Sequence, residues 1–439
     1  MGVRGGADLV VTGARVRCPG GAFAEAVAVR GDRILAVGDA VDVLDLADRR
    51  TRVIRAPGGL VLPGFQDSHV HPSTAGRDLL QIWLHGLPGR AAYLDRVASF
   101  ASEHPDEPWL VGGGWSMEHF PGGNPRREDL DAVVPDRPVF LFNRDVHGAW
   151  VNSRALQLAG IDRDTPDPSD GRFERDPATG EPTGMLHEGA AYTLNDRVVP
   201  APTREQWEAG LLAGQEHLHA LGITGWQDAW VTPPTLAAYL SLATDCRLTG
   251  RAVGALWWER DRGLEQVADL LAQREQAMGV AAAASSPVPG FHATTVKIMV
   301  DGVLENGTGA LLEPYCDGCG GHTENRGLSF VERDLLAEAV TELDRLGFQV
   351  HLHTIGDRAV RDALDAIEAA RAANGIADRR HHLAHIQVVQ PADVPRFAAL
   401  DVVANCQAYW AQSEPQMDEL TIPFLGDERA SMQYPFSSI

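Results

Sequence analysis

The sequence predicts an α/β chain built on a (β/α)8 TIM-type barrel, with a small N-terminal β-sandwich part and an inserted subdomain. Three observations predict it. Short apolar runs recur from residue 60 onward with helical stretches between them, the pattern of a parallel sheet. Those runs are apolar on both faces, as in "TTVKIMVDG", which suits strands covered by helices and not a half-solvated open sheet. Residues 7–60 follow a different rule, alternating apolar and polar in "DLVVTGARVRC" and "EAVAVRGDRILAVG", so they form a separate β unit.

Taken in order, residues 1–60 read as a short antiparallel unit, the N-terminal part of a small β-sandwich. The remainder, 61–439, is the barrel, and its first strand is the apolar "GLVLPGF". About 130 residues rich in Pro, Gly and Asp follow before the next strand, too many for a simple crossover, and they predict a subdomain inserted at about 75–203. Six further strands come from "GITGWQDA", "GRAVGALWW", "TTVKIMVDG", "GFQVHLHTIG", "HHLAHIQVV" and "LDVVANCQ". Helical spacing places one helix at 331–347 with Gly347 as its stop, and another starting on Asp357 as N-cap and ending at Gly375. "AAAASSP" at 281–287 reads as a loop. After "LDVVANCQ" the chain runs through "EPQMDELTIPFLGDERASMQYPFSSI" with no further strand pattern. The expectation is a barrel lacking its eighth strand, incomplete at the C-terminus, whose activity in this form is in doubt.

With 439 residues the chain can bury an enzyme-sized core. Its 38 basic and 60 acidic residues give a net charge of −22, which repels phosphate backbones and anionic lipid, so neither nucleic acid nor membrane is an expected partner. Small neutral or cationic substrates fit better, and a homodimer is one assembly such a chain could adopt. No apolar stretch long enough for a signal peptide core or a membrane span occurs, which points to the cytoplasm. Of the five cysteines, only Cys316 and Cys319 form a C-x-x-C. His322 alone adds a plausible third ligand, so a loop with two free thiols is expected there.

The chemistry concentrates in histidines on strands. His69 and His71 in "PGFQDSHVHP" stand two apart at the end of the first barrel strand, where side chains at i and i+2 point the same way and converge on one ion. His217 and His219 have the same spacing inside the helical "EQWEAGLLAGQEHLHALG", which turns them roughly 200° apart, so they cannot chelate. His351 and His353 again lie on a strand, His353 nearer its C-terminal end, and His385 follows in "LAHIQVV". Barrel active sites are built at those strand ends, and imidazoles gathered there indicate a metal.

Lys297 is the chain's single lysine against 37 arginines. Where charge alone was needed Arg served, so this position within an apolar strand requires an amine that can lose its proton. A neutral amine can take up CO₂ as a carbamate, an oxygen ligand for metal ions. The alternative is an ordinary lysine that snorkels toward solvent or pairs with Asp301.

The segments "PGFQDSHVHP", "VKIMVDGVLENGTGALLEPY", "HTIGDRAV", "HHLAHIQVV" and "PDRPVFLFNRDVHGAWVNSRAL" resemble the amidohydrolase superfamily, in its amidohydrolase 3 branch, which includes N-substituted formamide deformylase. The resemblance implies metal-dependent hydrolysis of an amide-type C–N bond in a small molecule by metal-activated hydroxide. It implies one or two divalent ions, zinc first among them, with His69, His71, Lys297 (carboxylated), His353 and His385 as ligands. It also suggests substrate-facing roles for Trp115 and His147. The family's eighth-strand proton-shuttling Asp has no counterpart here, which leaves the catalytic acid–base residue unknown. Two other readings stand beside this one: a deaminase of the same superfamily, and a non-catalytic barrel scaffold or inactive fragment.

Overall fold

The computed structural model describes residues 6–283 and 290–439. Its first sheet holds β1 (Ala7–Arg17), β2 (Phe23–Arg30), β3 (Arg33–Gly38), β4 (Ala47–Arg55) and β5 (Leu60–Val61), with α1 (Ala40–Leu44) between β3 and β4. Alternation along β1 buries Val10, Ala14 and Val16, as period two requires. The pairing is mixed and not purely antiparallel: β1 pairs β2 antiparallel but pairs β4 and β5 parallel. The crossover through α1 returns the chain in the same direction, a choice local patterning does not reveal.

The barrel sheet begins one step later than "GLVLPGF" suggests. Leu60 and Val61 of that run pair with β1 in the small sheet, and the first parallel strand is the more polar β6 (Phe65–Val70). It is followed by α2 (Pro72–Asp78). The intervening segment to residue 203 folds around a second sheet of six strands: β7 (Ile82–Trp83), β8 (Leu110–Trp115), β9 (Val139–Asn143), β10 (Gly148–Val151), β11 (Gly171–Arg175) and β12 (Pro182–Glu188). Helices α3 (Arg90–Glu103), α4 (Arg127–Asp131), α5 (Ser153–Ala159) and α6 (Gly189–Arg197) surround it. Successive residues of β9 point to opposite faces, so Val139 and Leu141 join one apolar cluster and Phe140 and Phe142 another.

The parallel barrel resumes with α7 (Arg204–Ala220), β13 (Ile223–Val231), α8 (Pro233–Thr244), β14 (Arg251–Trp257), α9 (Val267–Ala283), β15 (Phe291–Met299), α10 (Arg333–Arg345), β16 (Gln349–Thr354), α11 (Asp357–Asn374), β17 (His382–His385), α12 (Val394–Ala399) and β18 (Val403–Asn405). The other six predicted strand regions each supply one, and with β6 they line up as β6-β13-β14-β15-β16-β17-β18. Among the described residues no eighth strand joins this sheet. At the seam between β18 and β6, side chains connect the edges: Ser68 Oγ donates to Asn405 Oδ1 (3.3 Å) and Asn405 Nδ2 donates to the Ser68 carbonyl (3.1 Å).

Local details follow chain chemistry. Gly347 sits at φ 83° just beyond α10, the left-handed position a helix stop favours. Helix α11 is capped by Gly356, not by Asp357, whose carboxylate instead accepts from Leu312 N and Gln390 Nε2. The "AAAASSP" segment begins inside α9, and its residues 284–287 lie outside the described residues. His217 and His219 lie on α7 as expected. Helices α2 and α7 cross at contact distance, since a Cβ on Gly76 would meet the Gly210 carbonyl at 1.9 Å. That close crossing fixes the turn in which His71 and Pro72 lead out of β6.

Candidate active site

Parallel register decides which side chains meet inside the barrel. Lys297 on β15 is level with His351 on β16, and His351 is level with His382 on β17. Two residues further on come His353, and beside it the end of β17 with His385. One layer below, Gln227 Nε2 donates to Thr295 Oγ1 (2.9 Å) and Gln349 Oε1 (3.2 Å), a polar floor. His69 arrives from β6 on the other side of the seam, and His71 follows at the start of α2.

The predicted ligand histidines therefore gather. Ring centroids of His69 lie 5.2 Å from His71 and 4.7 Å from His385, and those of His353 and His385 are 4.4 Å apart. His351, which sequence reasoning noted but did not assign, belongs to the same cluster, its Nε2 2.8 Å from His69 Nδ1. His385 Nδ1 meets Gln407 Oε1, and His353 Nε2 lies 3.3 Å from the Gly302 carbonyl. Among the described residues no three His, Cys, Asp or Glu side chains aim their donor atoms at a common point.

Electrostatics keeps these groups uncharged. Burial first, then the Lys297 charge and neighbouring imidazoles (His385 ahead of Lys297 at His353), depress His69, His353 and His385, and burial with Lys297 takes His71 and His382 down to about 3. Burial alone brings the Lys297 amine to about 7. Lys297 is only 3% exposed and has no ion pair among the described residues. The alternative pairing with Asp301 is not formed: that carboxylate accepts from the backbone N–H groups of Ala310, Ile355 and Gly356 at 2.8–3.0 Å. Burial still raises Asp301 to about 7.

The donor set suits a divalent, borderline-soft cation. Neutral imidazoles and a readily deprotonated amine crowd together with one carboxylate at their edge, Asp301 Oδ1 lying 3.9 Å from His353 Nε2, and the buried His71 Nδ1, His351 Nδ1 and His382 Nε2 have no hydrogen-bond partner. Unmatched buried nitrogens are costly unless something accepts their lone pairs or protons.

A cavity with about 600 Å³ of empty space, part of it open to solvent, lies above His353 and His385. The insertion contributes Asp145 and His147, the loop after β15 contributes Glu305, and the segment beyond β18 contributes Trp410, Glu414, Gln416 and Tyr434. His147 is fixed from behind, its Nδ1 3.0 Å from Glu188 Oε2, and its ring centroid is 5.4 Å from that of His353. Burial opposes a charge on either member of this pair, yet their mutual attraction prevails, raising His147 and lowering Glu188. Thr308 Oγ1 also donates to Glu188 Oε1 (2.8 Å). A side chain at Gly302 would collide here, 2.2 Å from Thr308 Oγ1 and 2.6 Å from Glu188 Oε1. Backbone strain concentrates at the same place: Val146, Glu188, His385 and Ile386 all have positive φ, which non-glycine residues adopt only when their surroundings hold them there.

Trp115 has a different place from the one expected. It is fully buried on β8, its Nε1 donates to the Leu141 carbonyl (2.8 Å), and it packs edge-on against Phe120 and Trp150. It is core of the insertion and lines no part of the cavity. Away from the barrel mouth, Cys316 and Cys319 are free thiols, with Cys316 Sγ 3.9 Å from His322 Nδ1. Among the described residues no helix is long and apolar enough to cross a membrane.

The family model described as "Amidohydrolase family" matches residues 52–439. The putative amidohydrolase YtcJ of Bacillus subtilis (strain 168) is 31% identical over 376 residues, covering 83% of this chain and 65% of that protein. N-substituted formamide deformylase of Arthrobacter pascens is 29% identical over 419 residues, covering 91% of this chain and 72% of that protein. The chain thus spans just under two thirds of the length of the first relative and somewhat more of the second. Among solved structures, an uncharacterized metal-dependent hydrolase from Pyrococcus furiosus aligns with a TM-score of 0.70 at 25% identity, covering 98% of this chain and 82% of that one.

Proposed function

This chain belongs to the amidohydrolase family, and from that premise we propose that it hydrolyses a carbon–nitrogen bond of amide type in a small molecule with a divalent metal. His69, His71, Lys297, His353 and His385 would hold the metal, one or two zinc ions. The observation that carries this reading is the buried cluster itself, in which neutral imidazoles and a depressed lysine amine meet at the barrel mouth below a cavity. Residues 61–439 would be the hydrolase unit, with the insertion at about 75–203 forming the roof and residues 1–60 a separate small unit.

When bound, such an ion supplies Lewis acidity toward a carbonyl and a nucleophile from water near neutral pH. The protein's own residues do the rest. Lys297 Nζ, which burial pushes toward its neutral form, can attack CO₂ and release one proton, and the resulting carbamate oxygens would enlarge the ligand set. His147, held through Nδ1 by Glu188, presents its other edge to the cavity beside His353 and would orient the scissile amide by a hydrogen bond. The walls from the insertion and the segment beyond β18 limit water at that point.

A formamide is the natural first substrate, because one relative carries that activity in its name. The test is release of amine from simple N-substituted formamides by protein treated with chelator and then reloaded with zinc. Activity lost on chelation and regained with zinc supports the reading. Metal-independent hydrolysis, or none with the metal present, contradicts it.

A further inference from the structure

Resting on that hydrolase reading, we propose that the amide accepted by this cavity carries a cationic group, an ammonium or guanidinium, seated between Asp145 and Glu305. Three carboxylates line the cavity: Asp145, Glu305 and Glu414. Glu414 is already matched, since Arg144 donates to both of its oxygens (2.9 and 3.3 Å). Asp145 and Glu305 have no ion pair among the described residues. Gln416 Nε2 reaches Asp145 Oδ2 only at 3.4 Å, and Glu305 Oε1 accepts a single hydroxyl bond from Thr421 (2.6 Å). Burial raises the Glu305 carboxyl, the Thr421 hydroxyl and the His147 ring draw it partly back, and the nearby charge of Asp145 raises it again. Two like charges facing one enclosed space are costly unless a cation enters between them.

The neighbouring groups order the ligand along the cavity. His147 is 9% exposed, lines the same space, and has its Nδ1 taken by Glu188, while no partner for its Nε2 occurs among the described residues. That polar edge beside His353 faces the reacting amide. Asp145 lies two residues before His147, so its carboxylate and that of Glu305 receive whatever extends from the amide into the cavity. The other lining side chains carry no charge, Gln387, Gln407 and Gln416 among them, and the Tyr434 ring adds an aromatic wall favourable to a cation. A net charge of −22 over the chain raises the local concentration of such a ligand and disfavours an anionic one.

The probes are N-(4-ammoniobutyl)acetamide and its neutral isostere N-pentylacetamide, with binding to the zinc-loaded protein measured by calorimetry. The corresponding formamides are followed for turnover in parallel. The ammonium ligand should bind about tenfold or more tightly than the isostere. The preference should collapse in Glu305→Gln and Asp145→Asn, and it should shrink as salt rises from about 50 to about 500 mM. The salt dependence in wild type keeps the test valid if either variant fails to fold. Equal binding of the two ligands, or a preference that survives both substitutions, overturns the cation seat. If both formamides turn over with no ammonium preference, the hydrolase reading stands and the cation seat falls. If the preference is present but neither formamide turns over, the cation seat stands and the hydrolase reading falls.

Discussion

Replacing Lys297 by Met should stabilise the metal-stripped protein at neutral pH while removing its function. The amine is 3% exposed, and burial moves it from its ordinary 10.5 to about 7. At about 1.4 kcal/mol per pH unit, holding this group in the fold costs about 5 kcal/mol below pH 7, where both folded and unfolded chains carry the proton. Between pH 7 and 10.5 the unfolded chain binds the proton and the folded one does not, so wild-type stability rises with pH across that window. Methionine has similar length and no charge to desolvate, so the variant lacks this dependence. Urea unfolding followed by tryptophan fluorescence, in CO₂-free buffer with chelator, checks it. The advantage of Lys297→Met over wild type should shrink by about 4 kcal/mol between pH 7 and pH 10.5. An advantage of the same size at both pH values, or a variant less stable than wild type at pH 7, would refute the reasoning that this amine is buried without a partner.

In the metal-loaded enzyme, Lys297→Ala should lose activity and metal occupancy, with short carboxylates restoring part of both by substituting for the carbamate. Lys297→Arg should be inactive, and an active Arg variant would remove the argument from amine chemistry. Burial raises Asp228 to about 6, although Ser73 Oγ, Trp230 N and Tyr239 OH all donate to it. The folded chain therefore holds this proton more tightly than the unfolded one, and stability falls as pH rises from about 4 to about 6. Relative to Asp228→Asn, the wild type should lose about 2 kcal/mol over that window in urea unfolding, whereas parallel curves would contradict the assignment. Trp115→Phe removes the bond to the Leu141 carbonyl and should cost about 1–3 kcal/mol of stability. Its KM for a formamide should stay within about twofold, since Trp115 lines no cavity; a raised KM at unchanged stability would restore a substrate role.

Much of the barrel was legible because its strands are apolar on both faces and alternate with amphipathic helices, and that pattern survives without any tertiary information. The first strand was misplaced for the same reason. Hydropathy favoured Leu60 and Val61, but these pair with β1, while the true barrel strand carries Gln66, Asp67, Ser68 and His69 and reads as polar. The parallel pairing of β1 with β4 and β5 depends on where a crossover returns the chain, which a period of two cannot encode.

The histidine cluster was legible because i and i+2 on a strand share a direction, and the lone lysine stood out against 37 arginines. The substrate-facing expectation for Trp115 came from the resemblance alone, and its place in the core follows from glycines that let β8 pack closely: a Cβ at Gly112 would meet the Ile82 carbonyl at 2.2 Å. The cavity residues Asp145, Glu305, Glu414 and Tyr434 are far apart in the chain and share no motif. Glu305 and Asp145 had a signal available, since Glu305 lies in the loop just beyond the strand that carries Lys297 and Asp145 stands two residues before His147.

Metal counted per chain by plasma mass spectrometry decides whether the histidine cluster is the metal centre. Protein purified with zinc should hold between about one and two ions per chain, and His69→Ala, His71→Ala, His353→Ala, His385→Ala and Lys297→Ala should each lose metal by more than the roughly 10- to 100-fold affinity change expected of neighbouring positions. His217→Ala and His219→Ala, both exposed on α7, should retain the wild-type content. Equal retention in all seven variants, or equal loss from the α7 pair, would contradict the placement of the metal among His69, His71, Lys297, His353 and His385.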